Sequence, residues 1–350
     1  MRDVAVVGFA QSPSVRREDS RNEVEMLMPV VEEVLAESGM GREDIGFTVS
    51  GSCDYLAGVP FSFVSALDAV GAWPPIQESH VEMDGAFALY EAWVRLQHGD
   101  VDTALVYAFG KSSPGSLRDL MALQLDPYCL APLWPDAISL AALQARVLLD
   151  SGRITEADMA AVAARSRRDA RDNPKAQVSG DRPAETLLEE PYLVAPLRLH
   201  DCPPVSDGAA AVVLAAGDAA RRTSARPAWI RGIDHRIEPQ ALGVRDLAHS
   251  PSTARAAQVA GAGRGPVDVA ELHAPFSHQE LILREAIGID GGVAVNPSGG
   301  ALAANPMMVA GLIRVGEAAR RIHDGSAGRA LAHATSGPCL QQNLVCVLEA

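Results

Sequence analysis

Short apolar runs separated by amphipathic stretches form the main pattern of this chain. Runs typical of buried strands lie at Val4–Phe9, Thr103–Gly110, Ala228–Ile233 and Arg329–Thr335. Apolar positions at helical spacing predict helices over Glu23–Ser38, ended by Gly39, and over Thr253–Ala262, ended by Gly263. Strands and helices that alternate in this way predict βαβ units and a mostly parallel sheet covered by helices.

The same order of elements occurs twice along the chain. In the first half, a glycine-led helix over Gly85–Asp100 is followed by the strand Thr103–Gly110. In the second half, the segment Gly299–Pro306 opens a long apolar helix to about Ile322, which is followed by a polar turn and another strand. We therefore predict two similar units.

A segment of different character lies between the two units, over roughly Ser112–His200. It contains helix-forming stretches at Ile138–Leu149 and Thr155–Asp172 and a proline-rich, charged run over Asn173–Pro204. Thr155 precedes acidic residues and is typical of a helix N-cap. The chain then returns to an apolar strand at Asp207–Leu214.

Composition indicates a folded protein that binds neither nucleic acid nor a membrane. The 350 residues are 48% hydrophobic and 21% charged, which is enough for a large core. The formal net charge of -14 argues against an anionic partner surface. No apolar run approaches the roughly 20 residues of a membrane span, and Met1 leads directly into a strand rather than a signal peptide. We expect a cytoplasmic protein.

The cysteines point to a reducing compartment. The five of them form an odd set without a C-x-x-C pair or the spacing of metal ligands. Most are expected to be small buried side chains. We expect no metal site in this chain.

Three segments carry a resemblance to a known family: Glu271–Ser277, Val295–Gly300 and Val81–Ala86. Together they resemble the thiolase superfamily, most closely the sterol-carrier-type thiolases and lipid-transfer thiolase homologues of actinobacterial steroid catabolism. The resemblance implies an α/β fold in which two similar βαβ halves form a five-layered α/β/α/β/α sandwich with an inserted loop domain. The implied parts are residues 1–111 and 205–222 for the N-terminal half, 112–204 for the insertion and 223–350 for the C-terminal half.

Both cysteines of that family's active site are absent. The family places one at the start of the helix entered at Gly85 and another two residues after the histidine that matches His273, where this chain has Pro275. Neither glycine nor proline can form a thioester or carry a proton. We therefore expect no acyl-enzyme.

Three candidate catalytic residues remain. The family likeness makes His273, in place of the first residue of H-D-C-F or N-E-A-F, the main acid/base or oxyanion donor. Asn305 replaces the histidine of G-H-P and can donate a hydrogen bond, but it cannot act as a base. Asp84 is the ionisable group nearest the vacated position, although an aspartate there is also typical of a helix N-cap.

Candidate substrate-binding residues follow from the same likeness. Gly85 marks the vacated position, and Gly299 and Gly300 open a helix N-terminus that favours oxygen or phosphate charge. Cys339 lies in Ser336–Asn343, where the family has a glycine-rich turn. As a replacement thiol it lacks an evident base, so we expect it mainly to reshape the acyl end of the cleft.

The resemblance implies a retro-aldol cleavage of a β-hydroxyacyl-CoA, with a bulky, steroid-type acyl group and no cofactor beyond the coenzyme A of the substrate. The alternative is a non-catalytic subunit that stabilises an active partner; ordinary acyl transfer is a third hypothesis. The expected partner is a second copy, a thiolase-like paralogue or a zinc-containing OB-fold acyl-CoA-binding protein. Pairing is expected at a sheet edge near Asp102–Gly110, although this apolar strand is equally compatible with a central position.

Overall fold

The computed structural model describes the whole chain, Met1–Ala350. The strands are β1 (Val4–Gln11), β2 (Phe47–Gly51), β3 (Glu78–Val81), β4 (Thr103–Gly110), β5 (Tyr192–Val194), β6 (Leu197–Arg198), β7 (Gly208–Ala216), β8 (Ala228–Ile237), β9 (Val269–Leu272), β10 (Ala294–Val295), β11 (Arg329–Ser336) and β12 (Gln342–Glu349). The helices of the first half and the insertion are α1 (Glu23–Ser38), α2 (Asp54–Ala57), α3 (Ser62–Val70), α4 (Gly85–His98), α5 (Leu117–Leu123), α6 (Ala137–Asp150), α7 (Glu156–Asp169) and α8 (Ala184–Leu187). Those that follow are α9 (Gly217–Thr223), α10 (Pro251–Ala260), α11 (Ser277–Ile287), α12 (Gly300–Ala303) and α13 (Ala310–His323).

Two five-stranded units with the same pairing pattern confirm the predicted internal repeat. Their strand orders are β3-β2-β4-β7-β1 and β10-β9-β11-β12-β8. In each unit the first three strands of that order are mutually parallel and the last two are antiparallel to their neighbours. A short pairing of β1 with β8 joins the units into one continuous sheet of ten strands.

Helices cover both faces of each unit, which confirms the predicted five-layered architecture. Helices α4 and α13 lie in the middle and bury apolar side chains from both units in one core cluster. Helices α1 and α3 cover the outer face of the first unit, and α10 and α11 cover the outer face of the second. Strand β1 shows the consequence, because Val4 and Val6 face the middle layer while Ala5 and Val7 face α1.

Several predicted elements agree closely with the structure. Helix α1 has the predicted bounds, and Gly39 ends it in the left-handed conformation that glycine favours. Strand β4 also has the predicted bounds. Helix α10 begins and ends two residues earlier than predicted, at Gly261, which adopts the same left-handed cap.

The long helix predicted from Gly299 to Ile322 is wrong. The chain instead forms the short α12, turns through residues 304–309 and begins α13 at Ala310. Pro306 has no N–H for a helical hydrogen bond, and Met308 has a left-handed φ of 67° that is incompatible with a continuous helix. This break determines where Asn305 lies.

The predicted pairing edge near Asp102–Gly110 is also wrong. Strand β4 lies between β2 and β7, and both of its edges are hydrogen-bonded. The open edge of the first unit is β3 instead. The apolar character of β4 therefore reflects burial on both faces.

The insertion packs against the second unit. Helix α7 contacts α11 and α12, and Arg165 forms an ion pair with the buried Glu280 of α11. The hydroxyl of Thr155 caps α7, as its sequence predicted. None of the helices combines the length and apolar character needed to cross a bilayer.

Candidate functional site

The candidate site lies at the carboxyl end of β9. His273 follows this strand directly, in the connection to α11, and Thr335 lies near the carboxyl end of the parallel neighbour β11. Ligands of mixed α/β proteins bind at this side of the sheet, because the loops and helix N-termini meet there. The position therefore agrees with a functional role for His273.

His273 is buried and forms two side-chain hydrogen bonds. Its Nε2 lies 3.0 Å from Oδ1 of Asn305, and its Nδ1 accepts the backbone N–H of Thr335 at 3.4 Å. Since an amide oxygen only accepts, Nε2 carries the proton of a neutral imidazole. Burial lowers the pKa of His273 to about 4, although the bond to Asn305 acts in the opposite direction. This geometry favours a hydrogen-bonding role over proton exchange near pH 7.

Asn305 lies in the turn between α12 and α13 and is held by hydrogen bonds to residues outside that turn. Its backbone N–H donates to the hydroxyl of Ser206, and its Oδ1 accepts from His273. The amide nitrogen has only a weak contact, 4.0 Å from the Sδ of Met307. Asn305 therefore keeps a donor group that is oriented by the imidazole and not consumed by a strong acceptor.

Gly85 is buried in a place with no room for a side chain. A Cβ at this position would lie 2.7 Å from the Cβ of Ala108 and 2.9 Å from a methyl group of Leu312. The backbone N–H of Gly85 donates to the carbonyl of Met308 at 2.8 Å. In this arrangement Gly85 packs against the protein itself, so the geometry gives no support to the predicted substrate-binding role.

Asp84 caps the N-termini of two helices, which is the alternative that its position before a helix start also predicted. Its carboxylate accepts the backbone N–H groups of Ala86 at the start of α4 and of Gly311 and Leu312 at the start of α13. Burial raises the pKa of Asp84, and these three hydrogen bonds oppose the rise. Both oxygens are engaged, so Asp84 has a structural function.

Gly299 and Gly300 serve backbone geometry and close packing. Both have left-handed φ angles, and a Cβ on Gly299 would lie 2.6 Å from the Cβ of Ala170 in the insertion. The helix that they open, α12, has only four residues. The predicted anion site at these two glycines receives no support from this geometry.

Cys339 is buried, and its surroundings disfavour the role of a replacement nucleophile. Its Sγ contacts the carbonyl oxygen of Leu140 at 3.5 Å, in an apolar cluster with the insertion. Burial raises the pKa of this thiol to about 12, although nearby Arg245 lowers it in part. The thiolate needed for attack is therefore strongly disfavoured.

Sequence reasoning missed a buried ion pair next to the site, between Arg314 and Glu271. Arg314 donates to Glu271 at 2.8 Å and to the hydroxyl of Ser298, and it also contributes to the low pKa of His273. A buried ion pair with these additional hydrogen bonds fixes the segments around the site. Glu271 stood in a quoted motif, but nothing in the sequence identified its partner 43 positions later. No group of three or more metal-binding side chains occurs.

Comparison with curated proteins finds similar sequences over all or part of the chain. The chain is 27% identical over 364 aligned positions to an acetyl-CoA acetyltransferase of Methanothermobacter thermautotrophicus, with coverage of 94% of this chain and 93% of the relative. It is 25% identical to benzoylsuccinyl-CoA thiolase subunit BbsB of Thauera aromatica, over 57% of this chain and 59% of the subunit. No protein-family profile matches.

Solved structures establish the fold. The Ltp2-ChsH2(DUF35) aldolase superposes with a TM-score of 0.84 at 20% identity, over 99% of this chain and 98% of that one. Human mitochondrial 3-ketoacyl-CoA thiolase superposes with a TM-score of 0.79 at 15% identity, over 100% and 99%. The protein has the thiolase fold.

Restoring a cysteine by Gly85→Cys should destabilise the protein by about 1–3 kcal/mol, because the new side chain overpacks against Ala108 and Leu312. Urea unfolding measures the change in the free energy of unfolding. Gly243→Cys is the matched control, since a Cβ there has no neighbour within 4 Å. Equal stability of the two variants would show that position 85 has free space.

Stability should fall in mild acid because three buried histidines are neutral. Burial lowers the pKa of His273 to about 4 and those of His278 and His333 to about 3. Unfolded histidine titrates near pH ~6.5, so below that pH the unfolded chain binds more protons. The stabilisation is present above this value and is lost as the pH falls towards 4 for His273 and towards 3 for His278 and His333. We expect a loss of about 1 kcal/mol per histidine between pH ~6.5 and ~5.5.

His278→Gln isolates one of these contributions. His278 bonds to Gln144 and has no contact with Asn305. In urea unfolding at the two pH values, this variant should lose about 1 kcal/mol less than the unmodified protein. The exposed His98→Gln is the control. An unchanged pH dependence in His278→Gln would contradict the neutral, buried state of this ring.

Proposed function

We propose that the protein catalyses retro-aldol cleavage of a β-hydroxyacyl-CoA with a bulky, steroid-type acyl group, as a carbon–carbon lyase without an acyl-enzyme. The observation that carries the proposal is the Asn305 amide nitrogen, a donor oriented by the neutral ring of His273. The step forms an enolate and needs a hydrogen-bond donor at the thioester oxygen. It needs no thiol at position 85.

In this mechanism the β-hydroxyl loses its proton, the bond between Cα and Cβ breaks, and its electron pair forms the thioester enolate. The ketone or aldehyde leaves, and protonation of the enolate carbon gives the short acyl-CoA. The Asn305 amide donates to the thioester oxygen, where negative charge develops. His273 orients this amide. The hydroxyl proton goes to water or to a group of a partner subunit, since Asp84 is engaged by three N–H groups.

The comparisons with known proteins and the residues at positions 273 and 305 both support this choice. The solved protein with a TM-score of 0.84 is named an aldolase, and both curated relatives are named for reactions of CoA thioesters. The exchange of residues supports it too. Motifs of the N-E-A-F and G-H-P type have the amide first and the imidazole second, whereas this chain has the imidazole at position 273 and the amide at 305. Both hydrogen-bonding groups are therefore present, while positions 85 and 275 hold no cysteine.

Asn305→Ala should lower kcat/KM for release of a short acyl-CoA by about 100-fold or more, since it removes a donor to the developing oxyanion. His273→Ala should lower it as well, because the amide loses its orientation. Chromatographic detection of the acyl-CoA product measures both. His278→Gln, another buried histidine, is the matched control and should keep full turnover at pH 7.5. Unchanged turnover in Asn305→Ala would refute the proposed role.

A second candidate function is a non-catalytic subunit that stabilises an active partner. The specific observation that favours it is the closed N-terminus of α4, where the N–H of Gly85 is already bonded to the Met308 carbonyl. The curated thiolase relative is named as a subunit, and the aldolase structure is named as a complex of two components. The partner would be a thiolase-like paralogue or a zinc-containing OB-fold acyl-CoA-binding protein.

Assays of this chain and of the co-expressed partner, alone and together, separate the two functions. A supporting subunit should show no turnover alone and should raise the activity or melting temperature of the partner. The Asn305→Ala variant should have the same effect on the partner as the unmodified chain. Turnover by this chain alone, lost in Asn305→Ala, would exclude the supporting role. Size-exclusion chromatography checks that the variant still assembles.

A further inference from the structure

The two residues of the candidate site come from separate segments of the second unit. His273 follows β9, whereas Asn305 lies in the turn between α12 and α13. The hydrogen bond of 3.0 Å between their side chains therefore depends on how β9, the entry to α12 and the start of α13 are held relative to one another. A side chain that contacts all three segments restrains this distance.

Arg314 is such a side chain. It lies on α13, and its Nη1 donates to the carboxylate of Glu271 on β9 at 2.8 Å and to the hydroxyl of Ser298, in the segment that leads into α12, at 2.6 Å. Its Nε contacts the carbonyl of Ala310 in the first turn of α13. One guanidinium therefore joins the three segments that carry His273 and Asn305.

Glu271 completes this group of hydrogen bonds. Its carboxylate accepts the backbone N–H of Ser298 at 3.1 Å and the hydroxyl of Ser298 at 2.7 Å. The side chains of Arg314 and Glu271 are only 3% and 0% exposed, and Ser298 is buried as well. A guanidinium is planar and donates in fixed directions, so a buried contact of this kind restrains geometry as well as charge.

The chain also contains a matched arginine away from these segments. Arg245 forms an ion pair with Glu238 at 3.3 Å, and its side chain is 2% exposed. It donates to two backbone carbonyls in the turn between β11 and β12 and has no hydrogen bond with either residue of the candidate site. Effects that both arginines share reflect stability, whereas an effect that only Arg314 has reflects the site.

We propose that Arg314 is a positioning residue that maintains the hydrogen bond between His273 and Asn305 and, through this bond, the direction of the Asn305 amide. The inference rests on the proposed function, in which this amide donates to the thioester oxygen. All the hydrogen bonds of Arg314 lie within the protein, so it acts through other residues. A displacement of about 1 Å at a reacting centre can lower the rate by about 100-fold, which makes the restraint relevant to turnover.

Arg314→Lys tests the geometry separately from the charge, because lysine keeps the positive charge but lacks the fixed directions of the guanidinium. It should lower kcat for release of a short acyl-CoA by about tenfold or more. KM should stay within about twofold, as expected when an interaction made only in the transition state is weakened. Arg245→Lys should lose comparable stability in urea unfolding and keep its kcat.

A double-mutant cycle shows whether Arg314 acts through Asn305. In the Asn305→Ala background, the further change Arg314→Lys should alter kcat by less than about twofold, because the amide that it positions is already absent. Losses that add independently would contradict the proposal.

NMR of the protein with 15N-labelled histidine tests the positioning without turnover. The His273 ring of the unmodified protein should show the Nε2–H tautomer with a slowly exchanging proton, and His273→Gln assigns this signal by its loss. Arg314→Lys should give faster exchange or mixed tautomers, whereas Arg245→Lys should leave the signal unchanged. An unchanged His273 signal in folded Arg314→Lys would overturn the proposal.

Ser298→Ala is the second variant if Arg314→Lys does not fold. It removes the hydroxyl between Arg314 and the entry to α12 and leaves the ion pair with Glu271 in place. Exchange of the His273 proton should be faster than in the unmodified protein, and equal exchange would count against the positioning role.

The outcomes separate this inference from the proposed function. If the His273 signal changes in Arg314→Lys but the unmodified protein cleaves no β-hydroxyacyl-CoA, the positioning role stands and the lyase proposal fails. If the unmodified protein cleaves the substrate and Arg314→Lys keeps its kcat, the lyase proposal stands and the positioning role fails.

Discussion

The fold depends on one buried carboxylate at the meeting point of its two halves. Asp84 accepts N–H groups from the first turns of α4 and of α13, so it satisfies backbone donors of both central helices at once. Two helix N-termini that face each other bring together partial positive charges, and a carboxylate between them offsets this repulsion. A single residue therefore couples the central helices of the two repeats.

This coupling explains why the vacated nucleophile position is not an open cleft. With α4 and α13 held together, Gly85 packs directly against Leu312, and its N–H reaches the carbonyl of Met308. No space for a side chain is left at position 85. The amide nitrogen of Asn305 has only a weak contact with sulfur and is available as a donor. The proposed chemistry uses this donor, since an enolate needs a donor to oxygen and no covalent bond to the protein.

The fold could largely be predicted from the sequence, because its signals are local. Strands such as β4 are buried on both faces and therefore appear in the sequence as continuous apolar runs. Helix ends such as that of α1 are marked by a glycine, because the left-handed cap conformation favours this residue. The failures have non-local causes. The sequence did not distinguish a central from an edge position for β4. It also predicted one helix across Pro306, where the left-handed Met308 and the partner contacts of Asn305 enforce a turn.

The site was less predictable for the same reason. Motif spacing identified His273 and Asn305, and the structure brings them within 3.0 Å, but the direction of their hydrogen bond depends on the N–H of Thr335 on another strand. That bond places the proton of the neutral ring on Nε2, and the orienting role proposed for His273 rests on this tautomer. For Asp84, the position beside Gly85 suggested a catalytic role. Its three N–H partners lie on two helices, α4 and α13, and the sequence did not indicate the two on α13. A chain without a cysteine at position 85 thus has the thiolase fold, and the buried carboxylate of Asp84 stabilises two helix ends. In the proposed reaction, the thioester oxygen of the substrate accepts a hydrogen bond from the amide of Asn305.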